Sequence, residues 1–125
     1  MIDHIGIPVT DIEKARAFYD KALAPLGLKR MMDLTAEQVG QPSSGYGDGK
    51  RCCFWIDTKP MLKLHFAFAA KNRATVDAFH KAAIAAGGKD HGAPGLRPQY
   101  HKDYYGAFVL DPDGHNVEAV CRLPE

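Results

Sequence analysis

The sequence predicts an α+β fold built from two copies of one β-α-β-β-β module, and three observations lead there. Displaced by 61 positions, DHIGIPVTDIEKARAFYDKALAPLG lies over LHFAFAAKNRATVDAFHKAAIAAGG, with His4 on His65, Asp11 on Asn72, Phe18 on Phe79 and Gly27 on Gly88. Within each copy the apolar spacing changes from every second residue to every third or fourth, the change from strand to helix. After each helix, short apolar runs alternate with Gly, Pro and Ser clusters, the punctuation of strands joined by turns. A ferredoxin-like sandwich uses the same kinds of element, but its βαββαβ order has fewer strands per helix.

The first copy takes residues 1–60 and the second residues 61–125, in one domain long enough to bury a single core. The first opens with a strand in which Ile5, Ile7 and Val9 share a face. Asp11 is placed to cap a helix whose stripe is Ile12, Ala15, Phe18, Tyr19, Ala22, Leu23 and Leu26, closed by Gly27. Strand-like runs follow at residues 28–33, around Tyr46 and at residues 51–57, with a loop over residues 40–45. The second copy opens with Leu64, Phe66 and Phe68 on one face. Asn72 caps a helix striped by Val76, Phe79, Ala83 and Ile84 and ended by Gly87 and Gly88. Strands are expected at residues 89–91 and 104–110, separated by a loop over residues 92–102. A last strand over residues 115–121 follows the Asp111-Pro112-Asp113-Gly114 turn.

Composition narrows the function classes. A formal net charge of +1 with no basic run gives no reason to expect nucleic acid or an anionic membrane as partner. No window is apolar enough for a membrane span and no signal-peptide pattern opens the chain, so a cytoplasmic protein beginning near Met1 is expected. Cys52, Cys53 and Cys121 are an odd number without CxxC spacing, which reads as buried free thiols rather than a disulfide or zinc framework. Phosphate-loop and GxSxG motifs are absent, so nothing suggests nucleotide hydrolysis or a serine nucleophile.

Strand parity then selects candidate ligands. His65 lies opposite in parity to Leu64, Phe66 and Phe68, on the face it shares with Ala67 and Ala69. His4, with Gly6 and Pro8, lies on the corresponding face of the first strand, and Glu118 alternates with Val117 and Ala119 in the last. Two imidazoles and a carboxylate on open sheet faces form a common set for a divalent first-row metal with positions left for water or substrate. Such an ion acts as a Lewis acid on a carbonyl or enediolate oxygen, or activates dioxygen.

The loop GAPGLRPQYHKDYYG supplies the candidate substrate contacts Arg97, Tyr100 and Tyr105, with Arg97 suited to an anionic group. His101 and Tyr104, from the same loop, are candidate general acids or bases beside Glu118. Trp55 is expected to form an apolar wall. His80, His91 and His115 read as solvated side chains.

The segments HIGIPVTDIEKARAFYDKAL, LHFAFAAKNRATVDAFHKAAIAAGG and YYGAFVLDPDGHNVEAV together resemble the vicinal oxygen chelate superfamily, which includes glyoxalase I, bleomycin-resistance proteins, fosfomycin-resistance enzymes and extradiol dioxygenases. The DPDG turn followed by a strand Glu is the most specific part. The resemblance implies that the two modules form an open curved sheet around a cavity holding a divalent metal (Zn, Ni, Mn or Fe). It maps the ligands to His4, His65 and Glu118, and it implies a homodimer in which a site is sometimes completed across the interface. Glyoxalase I places a fourth ligand, usually Glu, on the last strand of the first module, where this chain offers Asp57 or Trp55. The activity implied is lyase or isomerase chemistry, as in lactoylglutathione lyase, or ring-cleaving dioxygenase chemistry. A metal-free protein that binds a small drug-like molecule is the alternative.

Overall fold

The computed structural model describes residues 3–58 and 62–124. Most of the expected join between the modules, around residues 58–60, lies outside the described residues. The elements are β1 (Ile5–Pro8), α1 (Ile12–Ala22), a 3-10 turn (Ala24–Leu26), β2 (Lys29–Leu34), α2 (Ala36–Val39), β3 (Ser43–Gly47) and β4 (Cys52–Asp57), then β5 (His65–Ala69), α3 (Arg73–Ala85), β6 (Lys89–Leu96), β7 (Tyr105–Leu110) and β8 (Asn116–Cys121). They form two open four-stranded sheets, ordered β1-β4-β3-β2 and β5-β8-β7-β6. In both, the first strand runs parallel to the last while the remaining pairs are antiparallel.

The helices start and stop where the sequence requires. The Asp11 carboxylate accepts the Glu13 and Lys14 amides at 3.0 and 3.1 Å, and Asn72 accepts the Thr75 amide at 2.8 Å. A cap of this kind stabilises a helix by about 1 kcal/mol, satisfying amides that have no partner in the first turn. Gly27, at φ 77°, takes the left-handed conformation that ends the first helical stretch. The stripe Ala15, Phe18, Tyr19 and Ala22 of α1 is buried, as are Val76, Phe79 and Ala83 of α3. Phe54 of β4 meets Phe66 and Phe68 of β5 at ring-centre distances of 5.4 and 5.3 Å, so one aromatic cluster joins the two modules.

Several expectations need correction. His115 is fully buried, not solvated. Its Nδ1 accepts the Leu64 amide at 3.0 Å, which leaves the ring proton on Nε2 to donate to the Pro8 carbonyl at 2.5 Å. The same turn reaches the first module twice more: Asp113 accepts the amide and hydroxyl of Thr10, and Asp111 accepts the Tyr19 hydroxyl at 2.8 Å. The DPDG turn is therefore a clasp between modules as well as a reversal of chain. His80 is half-buried and contacts the Asp90 carboxylate at 2.9 Å. Residues 89–96 form one strand where a short strand and a loop were expected. Its register shifts at Gly92 and Gly95 spread the ladder over residues whose Gly and Pro content disguises it. The small helix α2 falls between the strand-like run expected at residues 28–33 and the loop expected at residues 40–45, where the sequence predicts no element; Gln38 there reaches back to the Thr35 amide at 2.9 Å. All three cysteines are free, but only Cys121 is buried; Cys52 and Cys53 are half-buried.

Candidate functional site

On β5, β7 and β8, alternation separates a helix face from an open face. Val117, Ala119, Ala107 and Val109 are fully buried in the core. On the other face, Glu118 sits between Ala67 of β5 and Phe108 of β7 in the ladder. The small side chains of Ala67 and Ala69 leave this face open, and His65 on the same face is exposed. His65, Tyr100, Tyr104, Phe108, Glu118 and Arg122 line a hollow of about 390 Å³, a size that suits a small molecule.

At the floor of the hollow the His65 Nε2 lies 3.4 Å from the Glu118 Oε2. The His65 Nδ1 lies 3.2 Å from the Asn116 carbonyl. Since a carbonyl only accepts, Nδ1 carries the proton and the Nε2 lone pair faces a carboxylate oxygen. Two lone pairs so close repel each other unless a proton or a cation sits between them. Glu118 is 1% exposed, and among the described residues its only basic partner within ion-pair distance is His65. Burial pushes its pKa up, opposed by the Tyr104 hydroxyl, His65 and the positive charges of Arg122 and Arg97. The Tyr104 hydroxyl donates to Glu118 Oε1 at 2.5 Å. Burial first, and then this contact, hold Tyr104 protonated by pushing its pKa up to about 12. Gly106 makes room for the pair, because a Cβ there would lie 3.0 Å from Glu118 Oε1 and 3.1 Å from the Tyr104 ring.

His4 has the same local arrangement, its Nδ1 2.9 Å from the Asp3 carboxylate and its side chain exposed. It shares with His65 a hollow of about 420 Å³ along β1 and β5. Within one chain, however, His4, His65 and Glu118 do not bring ligating atoms within 4.8 Å of one another; among the described residues only Asp111, Asp113 and His115 do so. That trio is already engaged: both His115 ring nitrogens and both Asp111 oxygens hold the clasp, and Asp113 accepts from Thr10.

The remaining candidates divide by position. Pairing along the strands shows which residue of the first module corresponds to Glu118: Trp55 stands opposite Gly6 as Glu118 stands opposite Ala67. Trp55 therefore takes the place equivalent to Glu118, and Asp57 lies two residues further along the same face. Half-buried Trp55 lines a hollow with His4, Gly6, Ser43 and Asp57, and only a glycine at position 45 clears its ring. Tyr100 and Tyr104 border the main hollow with ring centres 5.2 Å apart. Arg97 lies over the Phe108 ring at 5.6 Å and borders an adjoining hollow. Tyr105 points the other way, its hydroxyl donating to Asp77 of α3 at 2.8 Å, because neighbours in a strand take opposite faces. His101 is exposed on the preceding turn, its Nδ1 accepting the Asp103 amide, and it does not line the hollow. Sequence reasoning passed over Phe108 and Arg122, although both share parity with residues of the site.

The comparisons with known proteins agree with this architecture. A glyoxalase/bleomycin resistance protein from Albidiferax ferrireducens T118 superposes with a TM-score of 0.80 at 29% identity, covering 95% of this chain and 97% of that one. A glyoxalase/bleomycin resistance protein/dioxygenase family enzyme from Burkholderia phytofirmans PsJN gives 0.70 at 20% identity, covering 98% of each chain. A mutant of glyoxalase I from Zea mays gives 0.70 at 18% identity, covering 99% of this chain but 45% of that one. None of the curated proteins compared with the sequence matches it. The family model of the Glyoxalase/Bleomycin resistance protein/Dioxygenase superfamily matches residues 1–119. Two repeated modules, their paired strands and this match together establish that the chain belongs to that superfamily.

Proposed function

We propose that this chain is a metalloenzyme that binds a small oxygen-chelating substrate at a divalent ion held by His65 and Glu118 of one copy and His4 of a second copy. The observation that carries the reading is the approach of His65 Nε2 to the buried Glu118 carboxylate with Nδ1 already tied to a carbonyl. The residues fit an ion: a neutral imidazole oriented through its far nitrogen and an acid lacking a basic partner other than that imidazole are what a borderline cation selects. His4, similarly oriented by Asp3, completes a set of two nitrogens and one oxygen. Its distance from the pair within one chain favours supply by a partner in a homodimer.

When bound, the ion would polarise a substrate oxygen or activate dioxygen. The chain's own residues do the rest. Tyr104 keeps one Glu118 oxygen fixed through a phenol that stays protonated at neutral pH, so it positions the carboxylate and does not act as a base. The Asn116 carbonyl holds the His65 ring. Phe108 gives the substrate an apolar wall, with the exposed Tyr100 ring at its rim. Trp55 in the place of a fourth ligand favours the three-ligand pattern of dioxygenases and fosfomycin-resistance enzymes over the four-ligand pattern of glyoxalase I.

Metal analysis of protein purified without added metal, beside a triple His4→Ala, His65→Ala, Glu118→Ala variant, tests the reading. Bound Fe, Mn, Ni or Zn in the wild type alone supports it. A wild type that carries no metal and takes none up would indicate a metal-free small-molecule binding protein.

A further inference from the structure

Near the His65 and Glu118 pair stand two guanidinium groups, Arg97 and Arg122, whose positive charges reach Glu118 without direct ion-pair contact. Among the described residues neither Arg97 nor Arg122 has a carboxylate within ion-pair distance, although the chain as a whole is nearly neutral. Arg122 lines the main hollow, lies 4.9 Å over the Tyr104 ring and makes no hydrogen bond to the described residues. Arg97 donates to the Ala93 and Leu96 carbonyls at 2.7 and 3.3 Å, which fixes its head against Phe108 and leaves part of its donor edge open. Tyr100 and Phe108 border both hollows, so the two arginines stand at either end of one aromatic shelf. A guanidinium set over an aromatic ring at the edge of a cavity, with donors that the chain does not take up, is suited to a carboxylate or phosphoryl group.

We propose that the substrate carries, besides its chelating oxygens, an oxyanion group that Arg122 grips directly, while Arg97 supplies a second positive charge from the far end of the shelf. This rests on the reading above for where the reacting oxygens lie. The shared chemistry is a planar or compact anion with oxygen at its edge, from a carboxylate or from a phosphoryl group.

The anion site can be read without the metal. Chelator-treated full-length protein is titrated with benzoate, phenylphosphonate and neutral benzamide while the arginine Nε–H signals are followed by NMR. We expect at least one of the two anions to bind about tenfold more tightly than benzamide and to shift the Arg122 signal, as one charge-assisted contact provides. Arg122→Gln removes that preference, and Arg97→Gln reduces it by about threefold, since its charge acts from further away. Arg97→Lys, with thermal melting as a control, separates loss of charge from disturbance of the loop. The tighter of the two anions identifies the source. Equal binding of benzamide and both anions, or a preference that survives Arg122→Gln, overturns the proposal. Failure of metal uptake in untreated protein defeats the metalloenzyme reading and leaves this result standing.

Discussion

The hydroxyl of Tyr104 donates to the Oε1 of Glu118 at 2.5 Å, on the side of the carboxylate away from the 3.4 Å contact between Oε2 and His65. One oxygen is anchored so that the other is presented. Tyr104→Phe removes the anchor and one donor favouring the charged carboxylate. We expect the divalent-metal affinity to fall by about tenfold, in the range typical of lost support behind a ligand. The pH at which metal binding is half-maximal should also move upward, because Glu118 then ionises less readily. Metal titrations from pH 5 to 8 measure both.

Glu118 also makes a prediction for stability. Its folded-state pKa lies above the ordinary 4.5, so the folded protein holds this proton more tightly than the unfolded chain. The contribution is fully present below pH 4.5 and is lost as pH rises through the folded value. Asp111, raised above 3.8 by burial, acts in the same sense. Chemical denaturation of metal-free protein should therefore show Glu118→Gln losing less stability than wild type as pH rises from about 5 to 7. Parallel curves for the two proteins would contradict this.

The clasp predicts a different phenotype. His115→Ala strands the Leu64 amide and the Pro8 carbonyl at the junction and opens a cavity, costing about 2–4 kcal/mol of folding stability. If Asp111, Asp113 and His115 serve the fold and not an ion, metal content per folded chain stays unchanged. Denaturation and metal analysis of the same sample decide between the two roles.

Trp55 stands where the repeat places Glu118 in the other module. Trp55→Glu should supply a fourth ligand and tighten metal binding by about tenfold or more, at a cost to the metal-free protein from lost aromatic packing. Unchanged affinity would mean that position 55 does not face the ion.

How much of this the sequence disclosed depended on the range of the interaction concerned. Parity within a strand is local, and it placed His65 and Glu118 on one open face. It also distinguishes Tyr104 from Tyr105 once the strand is recognised as continuing through both. The 61-residue offset aligned His4 with His65 but slipped by two residues before the last strands, because the second module has two more residues between its first-strand His and the ladder position of Glu118. Only the pairing of Trp55 with Gly6 resolved that. The role of His115 was hidden for another reason: its partner Pro8 is 107 residues away, and no local pattern announces a buried imidazole after a turn. The short helix α2 was the opposite case, its Thr35 and Gln38 being a readable local capping signal in a stretch too short to show a helical period.

If His65 and Glu118 hold an ion together with His4 of a second copy, the two histidines act from different chains of a dimer. His4→Ala and His65→Ala proteins, each expected to bind no metal alone, are mixed and their subunits allowed to exchange. Every mixed dimer then contains one intact site and one doubly defective site, so uptake of about one ion per four chains is predicted. A mixture as empty as its two components, with mixed dimers demonstrated by mass spectrometry, would mean that His4 and His65 do not share an ion across the dimer.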